Sequence, residues 1–139
     1  MNKRPTGSAM TSSILTILAI ILLLVFIVAK LPRGYSDDVA KIGQGANVMV
    51  LVHNKDSVHS LNLMGLMDKV RDDYQGAVEF LVVDVATPPG RSFADKQQLN
   101  PSTLAFFGPD GQRREVLFGV ENEQGLRMAL DQVFALNNR

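Results

Sequence analysis

Asp56, Ser57, His59 and Ser60 fall within one short run, and His53 stands just upstream. A nucleophilic serine needs a base within hydrogen-bond reach, an acid to orient that base, and donors for the developing oxyanion. The run holds the residue types, and a helix N-terminus would supply the backbone donors. Nearness in sequence is not that geometry, however. Ser57 opens an apolar helical pattern and reads more simply as its N-cap. His53 and His59 are the only 2 histidines, so a zinc site would need further ligands converging from Asp56 or elsewhere. The simpler reading is two polar residues at a strand end and in a loop, with no resident metal and no cofactor. Gly43-Gln44-Gly45 precedes a strand instead of opening a helix, which makes it a linker and not a phosphate loop.

Composition narrows the chemistry further. The 139 residues suffice for one ordinary domain. Lys plus Arg and Asp plus Glu are equal at 14 each, so no excess positive charge is available for nucleic-acid phosphates, and no nucleic-acid partner is expected. Cysteine is absent, which removes disulfides, thiolate metal sites, thiol nucleophiles and dithiol redox chemistry together.

The elements that must position the Asp56–Ser60 run follow an α/β alternation. Asn47–His53 is a continuous apolar, β-rich run, as expected of a central strand covered on both faces. Val58 to Tyr74 has helical spacing, with Leu63, Leu66, Met67, Val70 and Tyr74 on one side and Asp68, Lys69, Arg71, Asp72 and Asp73 turned elsewhere. Ala77–Val85 is a second buried strand, and Ser92–Leu99 a short helix bracketed by Pro88-Pro89-Gly90 and Pro101. Thr103–Phe107, a Gly-Pro-Asp-Gly turn and Arg113–Phe118 make a hairpin. Glu121–Leu136 closes the chain as a helix, with Glu121 and Glu123 in its first turn. The order βαβ, helix, ββ, α predicts a mixed sheet with helices on both faces.

Upstream, Ile14 to Ala29 is apolar except for Thr16, and the uncharged run reaches back to Thr6. Sixteen residues give roughly 24 Å of helix and a start at Met10 about 30 Å, the thickness of a hydrocarbon slab. The expectation is a single transmembrane helix over 10–31, anchored through Ile14, Leu18, Ile21, Leu24, Phe26 and Ala29, after a tail at 1–9. The run is longer than the apolar core of a cleaved leader, and a retained signal anchor fits better. Lys3 and Arg4 precede it while Lys30, Arg33 and Lys41 follow, nearly a tie in charge; a short basic N-terminus favours export of the C-terminal part, here into the periplasm across a bacterial inner membrane. Pro32 stops the helix, Lys30 and Arg33 snorkel, and Tyr35 is expected among headgroups. Residues 32–45 then form a linker to a domain at 46–139.

From Ala46 to Leu136 the pattern resembles the thioredoxin superfamily. The stretch VMVLVHNKDSVHSLNLMGLMDKVRDDYQG looks like the family's apolar strand, W-C-x-x-C and helix, with Asp72-Asp73-Tyr74-Gln75-Gly76 setting the register. That register puts Ser57 and Ser60 where the two redox cysteines stand, Val58 and His59 between them, and Asp56 in place of the tryptophan. The family's buried acid falls on Leu51 and its lysine neighbour on Val82, so the proton relay is absent as well. Such a replacement of buried charges by apolar residues is often neutral or stabilising. Gly65 matches the helix-kinking proline. The family's cis-proline precedes T-L-x-x-F, whereas here Pro101 comes one residue early and Ser102 takes the expected place. A cis bond at Ser102 costs about 2.5 to 4 kcal/mol, so a trans or re-registered loop is expected unless Pro101 itself is cis.

The resemblance implies a membrane-anchored thioredoxin-like domain without redox activity and not an enzyme. Its ancestral site is a surface that receives polypeptide, here comprising Asp56, Val58, His59, Pro101, Ser102 and Thr103. The expected partners are the lipid bilayer and other membrane-protein subunits, with the chain an accessory or assembly subunit of a larger complex. The alternatives are a metal-binding or hydrolytic protein using Asp56, His59 and Ser57, or a scaffold that positions a partner oxidoreductase.

Overall fold

A computed structural model describes residues 8–30 and 34–136 of the chain. It divides into two compact units, Met1–Gly34 and Tyr35–Arg139.

The first unit contains helix α1 (Ser8–Lys30). Side chains are described from 13 to 29, and the large apolar ones among them stand exposed, from Ile27 at 49% to Leu15 at 72%. That stretch alone spans only about 25 Å, and among the described residues no helix is long and apolar enough to cross a membrane. Ile14, Leu18, Ile21, Leu24, Phe26 and Ala29 all lie on α1 with their side chains exposed. The basic Lys3 and Arg4, most of the 1–9 tail, and Pro32 with Arg33 lie outside the described residues, as does the side chain of Lys30.

The second unit is built on a four-stranded mixed sheet, β1 (Asn47–His53), β2 (Val78–Asp84), β3 (Thr103–Phe107) and β4 (Arg113–Leu117), in the order β2-β1-β3-β4. β1 runs parallel to β2 and antiparallel to β3, and β3 and β4 form the antiparallel hairpin. Helix α2 (Val58–Val70) continues as a 3-10 turn through Tyr74, α3 (Pro88–Gln97) links β2 to β3, and α4 (Glu123–Val133) ends the fold. The expected mixed sheet with flanking helices is therefore present. Leu63, Met67 and Val70 of α2 and Leu126 and Leu130 of α4 pack with Met49, Leu51, Phe80, Leu104 and Phe106. Ala94 of α3 packs with Val48, Val50, Val52, Leu81, Ala105 and Phe107, the residues that alternate with the first set along the strands. Both faces of β1 and β3 are thus covered, which is why those strands read as unbroken apolar runs.

Three local expectations change. Helix α3 starts at Pro88, not Ser92: Thr87 caps it, its hydroxyl accepting from the Gly90 N–H, and prolines suit the first helical positions because their missing N–H has no helical partner to lose. Helix α4 starts at Glu123 behind the N-cap Asn122, so Glu121 lies before its first turn. Residues from Tyr35 onward belong to the folded unit and are not a free linker. Ser36 bridges to Leu81 on the outer side of β2, and its carbonyl accepts from the Val82 N–H at 3.0 Å. The Tyr35 hydroxyl donates to Asp68 at 2.6 Å, with the Arg71 guanidinium 4.5 Å from the ring centre. An acceptor and a cation offered side by side on α2 hold the ring on the protein, where a headgroup anchor was expected.

Candidate functional site

β1 ends at His53 and α2 begins at Val58, so the Asn54–Ser57 turn delivers the Asp56–Ser60 run to one end of the sheet. The turn is self-closing: the Asn54 side-chain oxygen accepts from the Asp56 N–H and the Asn54 carbonyl from the Ser57 N–H, both at 3.0 Å. Ser57 is the N-cap, with its Oγ accepting from the Ser60 N–H at 3.3 Å. β3 starts at the same sheet end because it runs antiparallel to β1, with Thr103 opposite Val52. That pairing sets Ser102 beside Ser57, and their hydroxyl oxygens lie 2.9 Å apart.

The Ser102 N–H donates to the Val52 carbonyl at 2.7 Å. Its peptide bond is trans, as is every other among the described residues, and the residue sits in the left-handed region at φ 65°. A non-glycine residue there is strained by roughly 1 to 2 kcal/mol. The Ser102 N–H bond and the Ser57–Ser102 bond hold it in place. The Asn100–Thr103 loop is therefore trans, at Pro101 as at Ser102.

Ser60 is wholly buried and His53 nearly so. The Ser60 Oγ accepts from the Asn54 N–H at 3.0 Å and lies 2.8 Å from His53 Nδ1. These bonds tie the end of β1 to the first turn of α2. A hydroxyl with no exposed surface cannot attack a substrate, so this serine and histidine form a structural tether. His59 is partly exposed and, among the described residues, makes no hydrogen bond to Ser57, Ser60 or Asp56; the elements of a hydrolytic triad are present in sequence but not assembled. Among the described residues no three His, Cys, Asp or Glu side chains converge as metal ligands would. A shallow concavity lined by Pro88, Arg91, Ser92, Asp95 and Lys96 lies on α3 and includes no residue of this run.

No protein-family model and no curated protein matches the chain. The site therefore stands on its own geometry.

Val58 is 73% exposed at the start of α2, and Asp56 and Pro101 are exposed beside Ser57 and Ser102. Thr103 departs from the expected binding set: it is completely buried, and its hydroxyl donates to the Asn100 carbonyl at 2.7 Å, so it shapes the loop from inside and offers a partner nothing. Two exposed apolar residues at this end went unforeseen, Leu61 at 50% and Phe118 at 65%. Leu61 stands one helical turn after Val58. β4 ends at Leu117, opposite Leu104, so Phe118 leaves the sheet at the same end as Ser102. Its place in an apparent strand pattern hid its exposure, and only the register of the hairpin reveals it.

Two phenols elsewhere are perturbed. Burial, then the hydrogen bond to Asp68 and that carboxylate's charge, raise the Tyr35 phenol well above its ordinary value. Burial, then the hydrogen bond to Asp131 and its charge, push Tyr74 up to about 12, against the opposing pull of Arg127.

Proposed function

We propose that this chain is a membrane-anchored, thioredoxin-like protein-binding subunit that has given up redox chemistry. The observation that carries this reading is the surface at one sheet end where the β1–β3 register brings the α2 start beside the loop before β3, with Val58 73% exposed upon it and the Ser57 and Ser102 hydroxyls 2.9 Å apart beneath. With no cysteine in the chain, that surface can bind a partner but cannot exchange thiols with it. The thioredoxin-like assignment is further supported by a parallel βαβ unit followed by an antiparallel hairpin, with helices on both faces of the sheet.

The anchor is supported by α1. Its backbone runs Ser8–Lys30, about 34 Å at 1.5 Å per residue, and its 14–29 segment has no ionisable residue. Large apolar side chains exposed all round a helix are costly in water and at home among lipid tails. A helix without intramembrane charge packs laterally against other helices and conducts nothing. The exported, periplasmic placement of the domain follows from the basic N-terminus.

Gentle detergent extraction from native membranes, followed by sizing and mass spectrometry, tests the reading. Stoichiometric migration with a larger membrane assembly is the expected result. Migration of the chain alone, or its recovery in the wash without detergent, would count against it.

A further inference from the structure

Of the chain's Asp and Asn residues, Asp110 alone is followed by glycine, and such a pair has a chemistry of its own. The backbone nitrogen of the second residue can attack the side-chain carboxyl of the first, and glycine, having no Cβ, hinders the attack least. The bond from Gly111 N to Asp110 Cγ forms, and the Gly111 amide proton leaves with the hydroxyl of the protonated carboxyl as water, giving a succinimide. Water then opens the ring at either carbonyl. One opening returns Asp110; the other leaves isoaspartate, of the same mass, in which the main chain runs through the former side chain and is one methylene longer.

The folded hairpin turn holds each participant elsewhere. The Gly111 N–H donates to the Gly108 carbonyl at 2.9 Å. Asp110 Oδ1 accepts from the Gln112 N–H at 3.0 Å, and Oδ2 from the Arg114 guanidinium at 2.9 Å. Arg114 lies across Gly108, where a Cβ would come within 2.6 Å of the Arg114 Nε, so glycine makes room for the clasp. The turn is itself seated on the segment before β1: the Gly45 N–H donates to the Pro109 carbonyl at 3.1 Å, and a Cβ on Gly111 would lie 3.0 Å from Gly43 Cα. A main chain lengthened between Asp110 and Gly111 does not fit so close an approach.

We propose that Asp110–Gly111 is a site of succinimide and isoaspartate formation that the folded turn holds in check, with Arg114 as its clasp, and that isomerisation there unseats the turn from Gly43 and Gly45. Asp110 and Arg114 are both exposed, so the clasp opens locally while the buried strands stay paired. An ion pair at the surface is weak, and losing this one multiplies the open fraction by no more than about five.

The test incubates the full-length protein in detergent micelles for weeks at physiological temperature and neutral pH, beside the same protein unfolded in guanidinium chloride. Isoaspartate is read as a chromatographically shifted peptide of unchanged mass, assigned to Asp110 by fragmentation. Amide hydrogen exchange is followed at Gly45 and at Val50 and Leu51 of β1. The expected result is isomerisation at Asp110 at least roughly tenfold faster in the unfolded chain than in the folded one. Arg114→Ala should raise the folded rate about two- to fivefold. Gly108→Ala, whose Cβ displaces the Arg114 side chain without removing its charge, should act in the same direction. In the isomerised fraction Gly45 should exchange faster, with Val50 and Leu51 unchanged. Equal rates in the folded and unfolded chain would overturn the inference, as would no isoaspartate at Asp110 in either, parental rates in both variants, or unchanged Gly45 exchange after isomerisation. So would equal acceleration at Val50 and Leu51 in both variants, since the protection would then belong to the whole fold.

Discussion

Ser60 shows how a residue that reads as chemistry can be structure. Its replacement by Ala strands the Asn54 N–H and His53 Nδ1 in a buried place, and leaving such groups unpaired costs about 1 to 3 kcal/mol. Ser57→Ala removes only an N-cap bond and the link to Ser102, a loss of about 1 kcal/mol. Urea denaturation of the two variants should rank them in that order, with partner binding retained by both; a Ser60→Ala protein as stable as the parent would contradict the tether. The cap was legible in the sequence because Ser before an apolar helical pattern is a local signal. Its partner Ser102 is 45 residues away and became visible only once the sheet register was known. The tyrosines offer a second test at this scale. The chain has 2 tyrosines and no tryptophan, so phenolate absorbance reports Tyr35 and Tyr74 alone. Both should ionise above the ordinary tyrosine range, Tyr74 at about 12. Because the folded protein holds these phenols protonated more firmly than the unfolded chain does, their contribution to stability is complete below about pH 10 and is lost as the pH rises toward 12. Tyr74→Phe should flatten that part of the stability profile, and a phenolate midpoint near 10 would contradict the burial and bonding described.

At the scale of elements, α3 gives the sharpest prediction. A Cβ on Gly90 would collide with the backbone carbonyl of Asp84, so the helix lies against the end of β2 at a distance only glycine allows. Gly90→Ala should therefore destabilise by about 1 to 3 kcal/mol through overpacking, although Ala is the better helix former by up to about 1 kcal/mol. A stabilised variant in chemical denaturation would contradict the close approach. β1 and β3 were legible for a physical reason: burial on both faces leaves an unbroken apolar run that survives any register. The start of α3 was missed because Pro88 and Pro89 are helix breakers in the interior but acceptable in the first turn. Residues 32–45 were expected as a linker because the contacts of the described part are long-range, from Tyr35, Ser36 and Lys41 and from Val39 and Ile42 packed on the core, and leave no periodic trace.

For the whole molecule, composition bears on what chemistry the side chains offer more than on identity. The chain has no cysteine for thiol exchange, and its Lys plus Arg and Asp plus Glu are equal at 14 each. What remains is a chain with one exposed apolar helix in its first unit and one surface built from two loops in its second. The account assigns binding to that surface and assigns the hydroxyls of Ser57 and Ser60 no chemical role. The most direct test is to express full-length Val58→Arg and the double variant Ser57→Ala with Ser60→Ala in the native membrane. The protein is then extracted gently, and the fraction that migrates with a larger assembly is compared with the parent. The account predicts that the double variant stays in the assembly while Val58→Arg leaves it with its fold intact by circular dichroism. Loss of the assembly in a double serine variant that circular dichroism shows to be folded, with Val58→Arg unaffected, would place the function in the hydroxyls and contradict the assignment of binding to the surface around Val58.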